Sequence, residues 1–212
     1  MAKQSAHGFQ GPSTSSVSRR EQERAPAPEQ PWRPTKQQLA EAVNKIVPDL
    51  IAPNLKVLLC GINPGLYTAA IGHHFGRPGN RFWPALFAGG ITPRLLSPFE
   101  ERLLLPLGYG ITNVVARATA TAAELTKDEL RAGAKNLLRK VETFKPKLLA
   151  VIGVGAYRVA FERPDAQIGL QDERIGGTRV WVLPNPSGLN AHYQPKELGK
   201  LFGTLRAFAE TL

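Results

Sequence analysis

The chain has 212 residues, a formal net charge of +10 and an isoelectric point near 10.0. That length fits one domain plus a tail, and 42% hydrophobic residues supply a sizeable core. The charge argues for an anionic partner, nucleic acid before an acidic membrane, and says nothing about fold. The single cysteine, Cys60, excludes a disulfide framework or a cysteine metal cluster within one chain. Of the four histidines only His73 and His74 are close in sequence, so no metal and no other cofactor is expected. No apolar run reaches the roughly 18 residues of a membrane-spanning helix, and the N-terminus lacks the apolar core of a signal peptide. The expectation is a soluble, cytoplasmic, monomeric protein with no membrane partner.

Residues 1–34 read as a disordered, mildly basic tail, rich in Ser, Gln, Pro, Arg and Glu, and residues 35–212 as the folded domain. Arg19, Arg20, Arg24 and Arg33 either add non-specific DNA affinity or merely solvate an extension diluted by Glu21, Glu23 and Glu29. Leu39, Val43 and Ile46 recur at helical spacing and predict a helix from Thr35 to Ile46, stopped by Pro48. A first strand is expected over Lys56 to Gly61, with a long Gly- and Pro-rich loop from Ile62 to Asn80. A loop of that length in a compact domain is usually functional. A helix resumes at Arg81 and ends at Gly89-Gly90. Ser97-Pro98-Phe99-Glu100 has the form of a capping box and opens a helix to about Leu105. A second strand is expected over Ile111 to Val115. A capping box at Thr126 to Glu129 opens a helix to about Thr143, followed by a third strand over Lys147 to Ile152. Gly153 to Phe161 reads as a turn and helix, Thr178 to Leu183 as the last strand, and Pro195 to Thr211 as a closing helix. Strands alternating with helices predict an α/β fold, a parallel sheet covered on both faces.

The first and last strands each run into an Asn-Pro turn, at Asn63-Pro64 and Asn185-Pro186. Parallel strand ends point the same way and ligands bind there in open α/β sheets, so the two loops can converge on one site. An asparagine amide orients a water or a base edge but does not act as a strong general base. The same residues also suit a plain turn. Ser187 and the glycines near it offer backbone N–H groups to a phosphate. Leu189 is either an exposed apolar tip able to enter a base stack or ordinary packing beneath its loop.

Three stretches, Gly61-Ile62-Asn63-Pro64-Gly65, Arg77-Pro78-Gly79-Asn80-Arg81-Phe82-Trp83 and Trp181 through Leu189, resemble the mismatch-specific uracil-DNA glycosylases of the uracil/thymine-DNA glycosylase family. The similarity runs from about Val57 to Leu212. It implies a three-layer α/β/α sandwich around a short central parallel sheet. It also implies a DNA repair enzyme that flips uracil out of double-stranded DNA, preferentially opposite guanine, and hydrolyses the N-glycosidic bond. By the resemblance, Asn63 positions the attacking water and Phe75 stacks on the flipped base. Ile62, Gly65, Asn80 and Asn185 complete the base pocket. Ser187, Gly188, Leu189, Asn190, Ala191 and His192 form the wedge loop that meets the duplex and the orphaned guanine.

The physical reading agrees. A base inside a duplex must be flipped at a cost of a few kcal/mol, less for a mismatched pair. Stacking on an aromatic ring returns about 1–3 kcal/mol per base. Backbone N–H groups near Ile62 and Phe75 would stabilise the leaving base. With no carboxylate at the first motif, turnover is expected to be slow. In stringent relatives a tyrosine at the Gly65 position shuts out the thymine methyl group. Glycine there predicts a permissive pocket, with Thr68 trimming it. The chain departs from the bacterial prototype at Ala191, where the prototype has arginine, and at His73 and His74, for which an ordinary loop-surface role is expected over contact with phosphate or an approach of one of them to the reacting centre. The lone Cys60 excludes the iron–sulfur branch of the wider superfamily, which needs four cysteine ligands. Three rivals remain: a nucleotide-binding protein built on Gly153-Val154-Gly155, where Arg158 replaces the third glycine, a non-catalytic mismatch reader, and a hydrolase of free nucleosides.

Overall fold

The computed structural model describes residues 33–188, 190 and 192–212. The tail reading for residues 1–34 falls almost wholly outside them, as do Leu189 and Ala191. In chain order the described elements are α1 (Lys36–Ala40), β1 (Val57–Gly61), α2 (Leu66–Ile71), α3 (Phe82–Ala88), a 3-10 helix (Pro98–Leu107), β2 (Tyr109–Asn113), a short 3-10 turn (Ala122–Glu124), α4 (Lys127–Phe144), β3 (Leu148–Ile152), α5 (Val154–Ala160), β4 (Gly169–Ile175), β5 (Thr178–Leu183) and α6 (Pro195–Ala209). The sheet order is β2-β1-β3-β5-β4. The first four strands in that order are parallel, and β4 runs antiparallel to β5 at the edge.

Two apolar cores explain why the middle strands carry almost no polar residues. Val57 and Leu59 of β1, Leu148, Ala150 and Ile152 of β3, and Trp181 and Leu183 of β5 pack on one side against Phe82 and Leu86 of α3 and Leu198, Phe202 and Leu205 of α6. The alternate residues Leu58, Cys60, Leu149, Val151, Val180 and Val182 pack on the other side against Leu130, Leu137 and Val141 of α4 and Tyr157 of α5. The strand period of two thus feeds two helical layers, and the three-layer sandwich with its short central parallel sheet stands. Deleting one fully buried ring, as in Phe202→Ala, would cost about 3–5 kcal/mol. Among the described residues no helix is long and apolar enough to cross a membrane.

Several local expectations need correction. The first helix stops at Ala40 instead of Ile46. Asn44 takes φ +61°, and its N–H leaves the helix to donate to the Ala118 carbonyl at 3.0 Å. Val43 and Ile46 are consequently exposed, so their helical spacing does not mark a core face. The Ile62–Asn80 segment is not all loop, because α2 lies inside it: Gly65 is its N-cap and Gly72, in the left-handed region, its C-cap. The second strand begins two residues earlier than expected, at Tyr109. The helix opened by the Ser97–Glu100 capping box is a 3-10 helix reaching Leu107. β4 has no counterpart in the sequence reading: it is half-exposed and carries Asp172, Glu173 and Arg174, so its polarity reads as loop.

Candidate functional site

The order β2-β1-β3 makes the chain leave β1 toward one side of the sheet and β3 toward the other. A crevice opens at such a reversal, beyond the carboxyl ends of the strands. There the structure has a cavity of about 210 Å3. It is lined by Ile62, Asn63, Pro64 and Gly65 after β1, Asn113 at the end of β2, Ile152 at the end of β3, and Asn185 and Ser187 after β5. Thr68, His74, Phe75, Arg77 and Asn80, and the segment Thr119 to Ala122, close the remaining walls. Drug-sized ligands occupy roughly 300–1,000 Å3, so this space suits a single ring. No carboxylate lines it among the described residues.

Asn63 sits at its wall with its amide orientation fixed. Its Nδ2 faces three acceptors: Thr119 Oγ1 at 2.7 Å, the Arg117 carbonyl at 3.1 Å and the Pro64 carbonyl at 3.2 Å. The Thr119 hydroxyl donates to the Thr121 carbonyl at 2.8 Å, so it can only accept from Asn63. Nδ2 therefore points into this bay, and Oδ1 is left to accept from a guest such as water. Arg117 is pinned in turn, its Nε donating to Glu129 in the first turn of α4 at 2.6 Å. That bond, with the Thr126 backbone N–H, holds the Glu129 carboxyl down to about 2.

Phe75 supplies the aromatic wall. Its ring stacks on Phe82 of α3 at 3.8 Å between centroids, with an interplanar angle of 14°. Phe82 covers one face and leaves the other for a flat guest. Its backbone is in the left-handed region, φ +51°, which few non-glycine residues adopt. Bonds on either side hold it there. The His74 N–H donates to Glu101 Oε2 at 2.8 Å, and the Gly76 N–H donates to Thr68 Oγ1 at 3.0 Å. Gly61, at the end of β1, lets the ring come close, since a Cβ there would lie 3.2 Å from the Phe75 ring and 2.6 Å from Asn113 Oδ1.

The loop-surface expectation fails for His74, which is buried and lines the cavity. His73 is partly exposed. Glu101 accepts from both rings, from His73 Nδ1 at 3.0 Å and His74 Nδ1 at 2.9 Å. A carboxylate only accepts, so both rings carry their proton on Nδ1. Burial pushes the Glu101 carboxyl up, but the donated hydrogen bonds from His74 and His73 outweigh it, and the group ends below its ordinary value, ionised. Cys60 is wholly buried and burial pushes its thiol far up, so it is an inert hydrophobe.

The other expected residues fall as follows. Ile62, Gly65, Asn80, Asn185 and Ser187 all line the cavity. A Cβ added at Gly65 would meet nothing within 4 Å. Asn80 Oδ1 accepts from the Phe82 N–H at 2.9 Å, and Asn185 Oδ1 accepts from the Ser187 N–H at 3.0 Å, so that N–H is engaged within the turn and not offered to a phosphate as expected. Gly188 borders a neighbouring cavity with Arg77 and Gly79, and its position admits no side chain: a Cβ would lie 2.5 Å from the Gly79 carbonyl oxygen. Asn190 Nδ2 donates to the Asn185 carbonyl at 2.9 Å, and exposed His192 donates its N–H to Asn190 Oδ1 at 3.0 Å. Sequence reasoning missed Thr119, which lies in an Ala- and Thr-rich loop after the expected second strand, and Asn113, which falls inside that strand.

Residues 48–206 match the Uracil DNA glycosylase superfamily, and the chain belongs to it. Members of that superfamily are DNA glycosylases, hydrolases of N-glycosyl bonds. The fold is similar to the solution NMR structure of a proposed uracil DNA glycosylase from Methanosarcina acetivorans, at 19% identity and a TM-score of 0.52, covering 77% of this chain and 99% of that one.

Proposed function

We propose that this chain is a mismatch-directed uracil-DNA glycosylase, which flips uracil out of duplex DNA, preferentially opposite guanine, and leaves an abasic site without cutting the strand. The observation that carries the reading is the pairing of a fixed Asn63 amide with the Phe75 ring across a cavity sized for one ring.

Each residue has a part in the sequence of steps. The flipped base slides against the open face of Phe75, and Asn185 borders the far wall. Asn63 Oδ1 accepts a hydrogen bond from a water and aims its lone pair at the anomeric carbon. The C–N bond breaks first, giving an oxocarbenium-like sugar and a base anion. Backbone N–H groups at Ile62 and Phe75 stabilise that anion. Water then adds to the sugar and releases its proton to solvent. An amide takes a proton poorly and no carboxylate lines the cavity, so the chemical step is slow and draws on stabilisation of the cationic sugar by DNA phosphates. The open space beside Gly65 admits substituents on the pyrimidine ring. The +10 charge supplies the sequence-independent attraction to DNA, and the protein works as a monomer.

Single-turnover base release from G·U, A·U and G·T duplexes tests this reading. Fast release from G·U and slow release from A·U is the expected pattern, with G·T reporting how open the pocket is. Tight binding with no release from any duplex would replace it with a non-catalytic mismatch reader.

A further inference from the structure

Arg81 stands at the junction of the two loops that form the site. It is the N-cap residue of α3, directly before the Phe82 ring that backs Phe75. Its backbone N–H donates to the Pro186 carbonyl at 2.9 Å. Its guanidinium crosses to the loop after β5 and meets three carbonyls: Nη1 donates to Asn190 at 2.8 Å and to Tyr193 at 2.6 Å, and Nη2 reaches Gly188 at 3.3 Å. Among the described residues no carboxylate pairs with Arg81, and its side-chain partners are these three loop carbonyls. A planar fork with several fixed donors suits such a task, and a lysine ammonium does not reproduce it.

We propose that Arg81 is a positioning residue that pre-forms the loop carrying Leu189 before DNA arrives, and that it is not a phosphate contact. The proposal rests on the glycosylase reading, in which that loop is the wedge. Three observations support it. Three of the five guanidinium N–H donors are engaged with carbonyls within the protein. The carbonyls it holds, at 188, 190 and 193, lie on both sides of the expected wedge residue. The next residue in the chain, Phe82, braces the aromatic wall, so one dipeptide ties the stacking platform to the wedge loop. A loop held in its working shape before binding avoids the ordering cost during base flipping.

The test compares wild type with Arg81→Gln, Arg81→Lys and Leu189→Ala. Each is assayed with a G·U duplex carrying 2-aminopurine beside the uracil, and with a duplex in which uracil faces an abasic-site analogue and is already unpaired. Thermal melts establish that each variant is folded. Arg81→Gln is expected to slow the fluorescence rise and base release from G·U by roughly ten- to a hundredfold, the range for losing hydrogen bonds to a charged group. Release of the unpaired uracil should fall much less. Arg81→Lys should lie between wild type and Arg81→Gln, and the slope of log affinity against log salt should stay unchanged in both. A slope shallower by about one in Arg81→Gln but restored in Arg81→Lys would make Arg81 a phosphate contact and overturn the proposal. Equal losses on paired and unpaired uracil in Arg81→Gln, with the difference retained in Leu189→Ala, would also overturn it and leave the wedge standing. No difference in Leu189→Ala would remove the wedge and the proposal together, and no release by wild type would overturn the glycosylase reading itself.

Discussion

The Thr119 hydroxyl accepts from the Asn63 amide at 2.7 Å while donating to the Thr121 carbonyl at 2.8 Å. This single relay decides which end of the asparagine amide faces the cavity. Thr119→Val keeps the shape of the side chain but removes the acceptor, and leaves Nδ2 with the Arg117 and Pro64 carbonyls only. Single-turnover release is expected to fall by roughly tenfold, the worth of one hydrogen bond of this kind, with DNA affinity unchanged. Thr119→Ser should restore most of the rate. Full activity in Thr119→Val would show that the amide needs no such relay.

Gly65 borders empty space, since a Cβ there would meet nothing within 4 Å. Gly65→Tyr fills part of the cavity from that side. Release of thymine and other 5-substituted bases should drop at least tenfold more than release of uracil, in line with the roughly 1–3 kcal/mol that one methyl group commands in a tight pocket. Equal losses on both bases would place the ring-substituent space elsewhere.

Gly188 and Gly79 touch backbone to backbone. Gly188→Ala would put a methyl carbon 2.5 Å from the Gly79 carbonyl oxygen, so the loop after β5 must shift. Duplex-dependent release should fall, while the melting temperature changes little because Gly188 and Gly79 themselves lie outside the two cores. A large drop in melting temperature would instead give this contact a structural role.

Glu101 gives the fold a pH dependence. Its carboxyl lies below its ordinary value when folded, so it stabilises the protein above the ordinary carboxylate range. That contribution is lost as pH falls through the lowered folded value. Glu101→Gln should destabilise the protein at neutral pH by about 1–3 kcal/mol, the cost of leaving buried donors without their acceptor. The gap between the two melting curves should close in acid. A gap independent of pH would show that the carboxylate charge contributes nothing. Because Glu101 holds the residue before Phe75, the variant should also raise KM for duplex more than it lowers kcat.

The parts of this molecule that were legible in the sequence share a physical cause. Strands buried on both faces must be continuous apolar runs, so β1, β3 and β5 announce themselves, and the turns after β1 and β5 announce a shared rim where Asn63 and Asn185 meet. Thr119 was hidden because its contact with Asn63 spans 56 residues and depends on how the chain returns after β2. The burial of His74 was hidden for the same reason, its partner Glu101 being 27 residues away. β4 pairs on one edge only and keeps charged residues on its open side, so its pattern matches a polar loop. Glycines that read as breaks at Gly65 and Gly72 act as helix caps, so α2 reads as loop in the sequence.

The most direct test of the account is Asn63→Ala, read by single-turnover uracil release from a G·U duplex alongside DNA binding. The account predicts binding within about twofold of wild type and a loss of release of at least a hundredfold, the usual scale for a group that acts on the transition state alone. Undiminished release with the cavity otherwise intact would contradict it, since the attacking water would then owe nothing to the fixed amide.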